Sequence, residues 1–253
     1  MAAALEWNLN RGQRNLRLFE FGKRYELRGT EPVETPILTL GATGLAREKG
    51  VHDTPREYSF ADLKGDLDLL AELVGGLRWS RNLGTRVPAW LHPARSATVA
   101  LAQPAADGAA IGVAGELARR AAERFKLRQE VFVAELALEP IHQGYRAARA
   151  QLRYRPLSRF PAVERDFSLI LPDGVPFAQV AEAITSLSIA EVAGIHAVDL
   201  FRGGHIPSGK YSLLVRVTFQ SHAATLAEAQ LADFTGRIVA ALESRLGAVL
   251  RTT

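Results

Sequence analysis

The chain of 253 residues is 47% apolar and 23% charged, a composition typical of a globular protein with enough residues for a sizeable core. Its formal net charge of +4 permits a nucleic-acid partner without requiring one. The lack of cysteine excludes disulfides, a thiol nucleophile and cysteine-ligated metals, and it fits a reducing compartment.

The chain shows no targeting or membrane signal. Its first residues lack the basic start and long apolar run of a signal peptide. No window approaches the roughly 18 uncharged apolar residues that a membrane span needs. We therefore expect a cytoplasmic protein without a membrane partner.

The first 145 residues predict an antiparallel sheet with helices. Residues 17–25 alternate apolar and charged side chains, which indicates a half-buried strand. A helix is expected to begin after Ser59 and end at Gly75, with leucines 63, 67, 70 and 73 on one face. The other expected elements are helices over 5–14 and 116–126, strands over 37–41, 77–81, 96–102, 110–114 and 131–138, turns over 30–36 and 104–108, and a loop over 44–55. This is an α+β pattern.

An arginine-rich stretch follows. Residues 145–155 carry arginines at 146, 149, 153 and 155 without an acid, and Pro156 comes next. This composition indicates a connector, so we expect a linker over 146–157 between a first domain of 1–145 and a second of 158–253.

The second domain has the order βαββαβ, the ferredoxin-like split unit. Strands are predicted over 163–171, 192–201 and 210–220, with a last short strand from residue 249. A helix is predicted over 177–187, and another is expected to open at Thr225 with Glu228 as its capping-box partner.

Alternation along these strands leaves one face of the sheet free of helices. Val198 and Leu200 are expected with the other apolar side chains beneath the helices. The free face is expected to carry Asp166, Ser168, Asp199, Phe201, Ser212 and Arg216. Small polar groups around one aromatic ring suit a flat, stackable ligand such as an unpaired base. The alternative is a solvated face with one incidental phenylalanine.

No catalytic or metal site is predicted. The six histidines are scattered without metal-ligand spacing. The glycine-rich stretch 204–211 resembles a phosphate loop, but Tyr211 replaces the required Ser or Thr and a strand follows in place of a helix.

Several segments resemble the beta subunit of bacterial phenylalanyl-tRNA synthetases. Residues 155–166 (RPLSRFPAVERD), 198–203 (VDLFRG) and 206–213 (IPSGKYSL) are similar to its C-terminal ferredoxin-fold anticodon-binding domain. The segments that resemble its catalytic-like module are 8–12, 18–23, 62–67, 90–97 and 112–117. The resemblance covers nearly the whole chain.

The resemblance implies a division of labour. The first domain would be a partial, degenerate class II synthetase sheet, a non-catalytic scaffold that contacts the alpha subunit. That partner would perform aminoacylation with ATP and magnesium, so no cofactor is expected in this chain. The second domain would bind the anticodon of tRNA(Phe) through Ser168, Asp199, Phe201 and Ser212. Phe201 stands where the family commonly has Tyr, and Ser168 where it often has Ala.

The expected contacts with the RNA backbone are Arg155, Arg159, Arg202, Lys210 and Arg216. The chain is much shorter than the family's beta subunit, so a C-terminal piece or a truncated paralogue is expected. An uncovered edge of the partial sheet makes a homodimer plausible. The alternative function is an assembly module that contacts the alpha subunit or itself and never meets RNA.

Overall fold

The computed structural model describes residues 1–81, 87–102, 110–154 and 156–251. It divides into two compact units, Met1–Arg153 and Tyr154–Thr253. The predicted turn at 104–108 and Arg155 lie outside the described residues. None of the helices described is long and apolar enough to cross a bilayer.

The first unit is built on a six-stranded antiparallel sheet in the order β1-β2-β8-β7-β6-β5. The strands are β1 Leu16–Arg28, β2 Glu31–Thr43, β3 Leu45–Arg47, β4 Arg56–Glu57, β5 Leu77–Ser80, β6 Leu91–Leu101, β7 Ala110–Leu117 and β8 Val131–Ala137. The helices are α1 Ala2–Leu9, α2 Phe60–Val74, α3 Arg119–Arg124 and α4 Leu138–Gln151. Strands β3 and β4 form a separate two-stranded sheet.

Apolar side chains pack on both faces of the large sheet. One core gathers Leu63 and Leu67 of α2 and Ile141 of α4 against strand residues such as Val99. The other gathers Leu5 of α1 with Leu91, Leu127 and Val133. The predicted antiparallel sheet with helices is therefore confirmed.

Helix α2 begins and ends where the sequence predicts. Ser59 is the N-cap, and its N–H and hydroxyl both donate to Asp62 Oδ2 at 2.9 and 2.7 Å. Gly75 ends the helix with φ of 79°, a left-handed conformation that favours glycine. The prediction that Leu73 lies on the buried face of α2 is wrong. Leu73 is exposed, and Val74 is buried instead. Eleven residues bring position 74 back over Leu63 at 3.6 residues per turn, whereas position 73 points away.

Other boundaries differ from the prediction because sheet pairing extends the strands. Strand β2 begins at Glu31, where a turn was expected, since it pairs with β1 along its whole length. Glu116 was expected in a helix, but it pairs with Phe132 of β8 and is buried. The helix that follows is only Arg119–Arg124. Part of the loop expected over 44–55 is β3, and the arginine-rich stretch is helical through Gln151.

The second unit has the predicted ferredoxin-like order. Its elements are β9 Val163–Pro172, α5 Phe177–Thr185, β10 Val192–Phe201, β11 Lys210–Phe219, α6 Glu228–Leu246 and β12 Val249–Leu250. The strands run antiparallel in the order β10-β11-β9-β12. Leu169, Val215 and Phe219 of the sheet pack against Ile184 of α5 and Ile238 of α6, so both helices lie on one face.

The predicted N-cap of α6, Thr225, is wrong by two residues. Ala227 is the N-cap, and its N–H donates to Gln230 Oε1 at 3.0 Å. Glu228 therefore does not form the predicted capping box with Thr225. Its carboxylate instead accepts two hydrogen bonds of 2.9 Å from Arg165 on β9.

Candidate nucleic-acid interface

The strand register brings the predicted site residues onto the sheet face opposite the helices. Directly opposed residues in an antiparallel pair share a face. Phe201 of β10 lies opposite Ser212 of β11, and Ser212 lies opposite Ile170 of β9. Asp199 lies opposite Leu214, which lies opposite Ser168. Two cross-strand rows thus contain the four residues predicted to contact bases.

A bulge in β10 sets this arrangement. Ala197 pairs with Val215 and Asp199 pairs with Leu214, so Val198 is an extra residue in the strand. Because a bulge shifts alternation by one position, it brings Asp199 onto the same face as His196, which pairs with Arg216. Strict alternation along β10 would have separated these two side chains.

The prediction that Val198 and Leu200 are buried beneath the helices is wrong. Leu200 is directed to the helix side by its pairing with Leu213, yet it is 54% exposed. Val198 is also exposed. The physical reason is position, because β10 is an outer strand of the sheet, and its residues from His196 to Phe201 are all exposed.

Phe201 is the accessible aromatic group of the free face. It ends β10 and is 52% exposed. The loop that follows turns at once through Gly203 and Gly204, both with positive φ. A side chain at Gly204 would make only an ordinary van der Waals contact with the ring, at 3.5 Å, so the positive φ is what favours glycine there.

Ser212 is far less accessible than predicted, because only 8% of the residue is exposed. The side chains of Phe201 and Ile170 flank it across the sheet, and Leu214 follows it on the same face of β11. Val249 extends the same row on β12. Apolar side chains therefore lie between and beside the predicted polar ones on this face. The alternation that predicts Ser212 and Arg216 on this face predicts Leu214 there too, although Leu214 is not among the residues predicted for the site.

Asp199 and Ser168, the two other predicted base contacts, each have a polar side-chain atom that is free to bind a ligand. Asp199 accepts a hydrogen bond of 2.9 Å from the N–H of Leu200 through Oδ1 and is exposed. Ser168 uses its backbone carbonyl to accept from Arg251 at 2.8 Å. Its hydroxyl makes no hydrogen bond with any of the described residues, so it is available to a ligand.

Two of the predicted backbone contacts are already paired within the unit. Arg216 donates to both carboxylate oxygens of Asp166 at 2.7 and 2.8 Å and lies 3.2 Å from Glu164. These hydrogen bonds hold the pKa of Asp166 below its usual value. Arg202 pairs with Asp173 and lies over the ring of Tyr211. Neither cation is as free for phosphate as the sequence suggested.

The remaining cations differ in this respect. The side chains of Arg159 and Lys210 form no hydrogen bond or ion pair in the part of the chain that the structure describes, and Arg159 is exposed. The segment that carries Arg159 is tied to the end of β11, since Ser158 Oγ donates to the carbonyl of Ser221 at 2.6 Å. Gln220 adds a second bond of 3.3 Å to the carbonyl of Phe160. Arg155, also predicted here, lies outside the described residues.

The described residues contain no group of three or more His, Asp or Glu side chains that could hold a metal ion.

Both units match family models. Residues 1–138 match the model described as "Phenylalanyl tRNA synthetase beta chain CLM domain". Residues 158–251 match the model described as "Ferredoxin-fold anticodon binding domain".

Relatives that match nearly the whole chain are phenylalanine–tRNA ligase beta subunits. The chain is 32% identical over 247 residues to the phenylalanine–tRNA ligase beta subunit of Carboxydothermus hydrogenoformans, covering 97% of this chain and 30% of that protein. The corresponding subunit of Geobacter sulfurreducens is 31% identical, with 96% and 30% covered, and that of Hahella chejuensis is 32% identical, with 97% and 30% covered. The chain thus spans about 30% of the length of these relatives. It belongs to the phenylalanyl-tRNA synthetase beta chain family.

Proposed function

We propose that the second unit binds the anticodon of tRNA(Phe) through the free face of its sheet. The observation that carries this proposal is the exposed ring of Phe201, two residues from Asp199 in β10, on the sheet face opposite α5 and α6. Stacking on an aromatic ring is a general way to hold an unpaired base, and carboxylate and hydroxyl groups then select its edge. The domain model that matches residues 158–251 supports the same ligand.

Each proposed contact has a role that fits its accessibility. Phe201 stacks on a base, Asp199 accepts from base N–H groups, and the Ser168 hydroxyl donates or accepts at the same edge. Ser212 is buried, so its contribution is to seat the ring of Phe201 and to present a small surface beside it. Arg159 and Lys210 attract the RNA backbone, because in the described part of the chain no acidic side chain forms an ion pair with either of them. Arg202 and Arg216 chiefly stabilise the second unit itself, because Arg202 pairs with Asp173 and Arg216 pairs with Asp166.

We propose that the first unit acts as a scaffold. We assign it to subunit assembly with the alpha subunit of phenylalanyl-tRNA synthetase, which performs aminoacylation with ATP and magnesium. No catalytic residue is proposed in this chain. The proposed division has a first domain of 1–145 and an anticodon-binding domain of 158–253. Such a role places the protein in the cytoplasm with the rest of the translation machinery.

The test is direct binding of labelled tRNA(Phe) to the full 253-residue chain at two salt concentrations. Binding to tRNA(Phe) in preference to a tRNA with a different anticodon is expected, and removal of the anticodon loop should abolish the preference. Phe201→Ala should weaken binding, whereas Trp7→Ala, an exposed aromatic of the first unit, should leave it unchanged. Equal binding of all tRNAs, or none, would favour the alternative of an assembly module without an RNA ligand.

A further inference from the structure

Two planar side chains, His196 and Arg216, lie together on the free face of the second unit, beyond the residues assigned to base binding. His196 of β10 is directly opposite Arg216 of β11, and Arg216 is opposite Asp166 of β9. Ile195 and Val217, their neighbours in sequence, pack in the core beneath the helices, so the pair lies on the opposite face. Imidazole rings and guanidinium planes are both groups on which an unpaired base stacks.

Two acids hold the guanidinium of Arg216 by its edges. Its Nε and Nη2 donate to Oδ1 and Oδ2 of Asp166 at 2.7 and 2.8 Å, and its Nη1 lies 3.2 Å from Glu164 Oε2. The N–H groups of a guanidinium lie in its plane, so these contacts leave its flat surface unengaged. The side chain is 38% exposed. A base can therefore stack on Arg216 without displacing either acid.

Gly194 leaves room for the ring of His196 to lie over the strand. The two residues share the free face, and a side chain at Gly194 would come within 3.0 Å of His196 Nε2, closer than such contacts normally are. His196 is exposed. Its side chain forms no hydrogen bond or ion pair with any of the described residues. The ring thus presents accessible planar surface beside the guanidinium of Arg216.

The charges at this position favour a base over a phosphate. Asp166 and Glu164 together outweigh the single cation of Arg216, so this part of the face does not attract an anion. An unpaired base carries no charge and requires only accessible planar surface. The ligand that fits His196 and Arg216 is therefore a base.

We infer that His196 and Arg216 form a second stacking subsite, which binds another unpaired base of the RNA held at Phe201. The inference rests on the proposed RNA binding by the second unit. Ser212, which lies opposite Phe201, is four residues from Arg216 on β11, so the two subsites are about 13 Å apart at the rise of a strand. Successive stacked bases are only about 3.4 Å apart. The two bound bases are therefore unstacked from each other, and the RNA lies extended along β10 and β11.

Abasic nucleotides in a labelled tRNA(Phe) anticodon stem-loop identify the bases that each subsite holds. With the unmodified full chain, two positions of the loop, replaced one at a time, should each weaken binding at least about fivefold. One of these replacements should lose its effect in His196→Ala, and the other should lose its effect in Phe201→Ala. His142→Ala, which changes an exposed histidine of the first unit, is the matched control and should retain both effects.

Two conservative variants separate stacking from attraction of phosphate. His196→Phe keeps an aromatic ring and should bind as tightly as the unmodified chain, whereas His196→Ala should bind about fivefold more weakly. Arg216→Lys keeps the positive charge but loses the planar guanidinium. It should therefore bind about fivefold more weakly, without a change in the slope of log K against log salt. Fluorescence anisotropy at several salt concentrations measures both quantities.

The outcomes distinguish this subsite from the proposed RNA binding as a whole. If Phe201→Ala removes the effect of one abasic replacement and His196→Ala removes none, the second subsite is overturned and RNA binding at Phe201 stands. If neither variant removes an effect, both proposals fail. Weaker binding by His196→Phe with a smaller salt slope would also overturn the inference, because His196 would then contact phosphate as a cation.

Discussion

Phe201 and Ser212 lie directly opposite each other on neighbouring strands, yet only the ring is accessible: Phe201 is 52% exposed and Ser212 is 8% exposed. The difference arises from strand order, because β10 is at the side of the sheet and β11 is inside it. A ligand on this face would therefore meet the ring first and the serine hydroxyl only at its margin. This ordering of contacts determines which substitutions should affect binding most.

Loss of the Phe201 ring should be the most costly single change for RNA binding. Phe201→Ala is expected to weaken tRNA(Phe) binding by about 1–3 kcal/mol, since stacking on an aromatic side chain contributes that much per base. Phe201→Tyr keeps the ring and should bind at least as well as the parent. Fluorescence anisotropy of labelled tRNA measures both. An unchanged affinity for Phe201→Ala would contradict the proposed stacking.

Asp199 should affect selectivity more than overall affinity. Asp199→Ala removes an acceptor for base N–H groups, so cognate binding should weaken by about 1–3 kcal/mol. Removing a negative charge should at the same time leave binding of non-cognate tRNA equal or slightly tighter. Competition between tRNA(Phe) and a second tRNA measures the ratio. A loss that is equal for both tRNAs would argue against base recognition by this carboxylate.

The salt dependence of binding should separate free cations from paired ones. For single-stranded RNA the slope of log K against log salt falls by about 0.7 for each phosphate that a cation no longer neutralises. Arg159→Gln combined with Lys210→Gln should therefore reduce the slope by about 1.4. Arg216→Gln is the matched control and should leave the slope unchanged, because Asp166 and Glu164 already pair with Arg216. A smaller slope for Arg216→Gln would show that its guanidinium exchanges partners to reach RNA.

Asp62 should stabilise the first unit through the start of α2. Its carboxylate accepts both polar hydrogens of Ser59 and pairs with Arg56, which holds the pKa of Asp62 well below its usual range. Asp62→Ala should cost about 0.5–2 kcal/mol at neutral pH, as the removal of a cap does. Because the folded-state pKa is depressed, the contribution is present above the unfolded pKa of about 4 and is lost as pH falls through the folded value.

The tryptophans at 7, 79 and 90 all lie in the first unit, so their fluorescence reports its unfolding by denaturant. The penalty of Asp62→Ala should be smaller at pH 3 than at pH 7. Asp68→Ala, which removes only an exposed pair with Lys64 on the same helix, should cost less than about 0.5 kcal/mol. Equal costs for the two variants would contradict a special role of Asp62.

Leu200 and Leu213 are opposed residues that should differ sharply in their effect on stability. Leu213 is 1% exposed beneath the helices, so Leu213→Ala should destabilise the second unit by about 2–5 kcal/mol. Leu200→Ala, at a half-exposed position, should cost about 1 kcal/mol or less. Circular dichroism during denaturant unfolding compares the two. Similar costs would indicate that the end of β10 is covered after all.

Much of this architecture could be read from local patterns. Ser59, Asp62 and Gly75 mark the ends of α2 because caps depend on neighbouring residues alone. The βαββαβ order of the second unit follows from a change between periods of 2 and 3.6 along the chain. The placement of Ser168, Phe201 and Ser212 on one face follows from the same period within each strand.

Tertiary structure alone decided how accessible those side chains are. No sequence pattern reveals that β10 lies outermost, that Val198 forms a bulge, or that Arg216 turns to Asp166, since all three depend on partners distant in the chain. Alternation assigns a side chain to a face, which is a local property of the backbone. Burial depends on what packs against that face. Ser212 is buried and Leu200 is exposed because β11 is an inner strand and β10 is an outer strand, which is decided only when the sheet assembles.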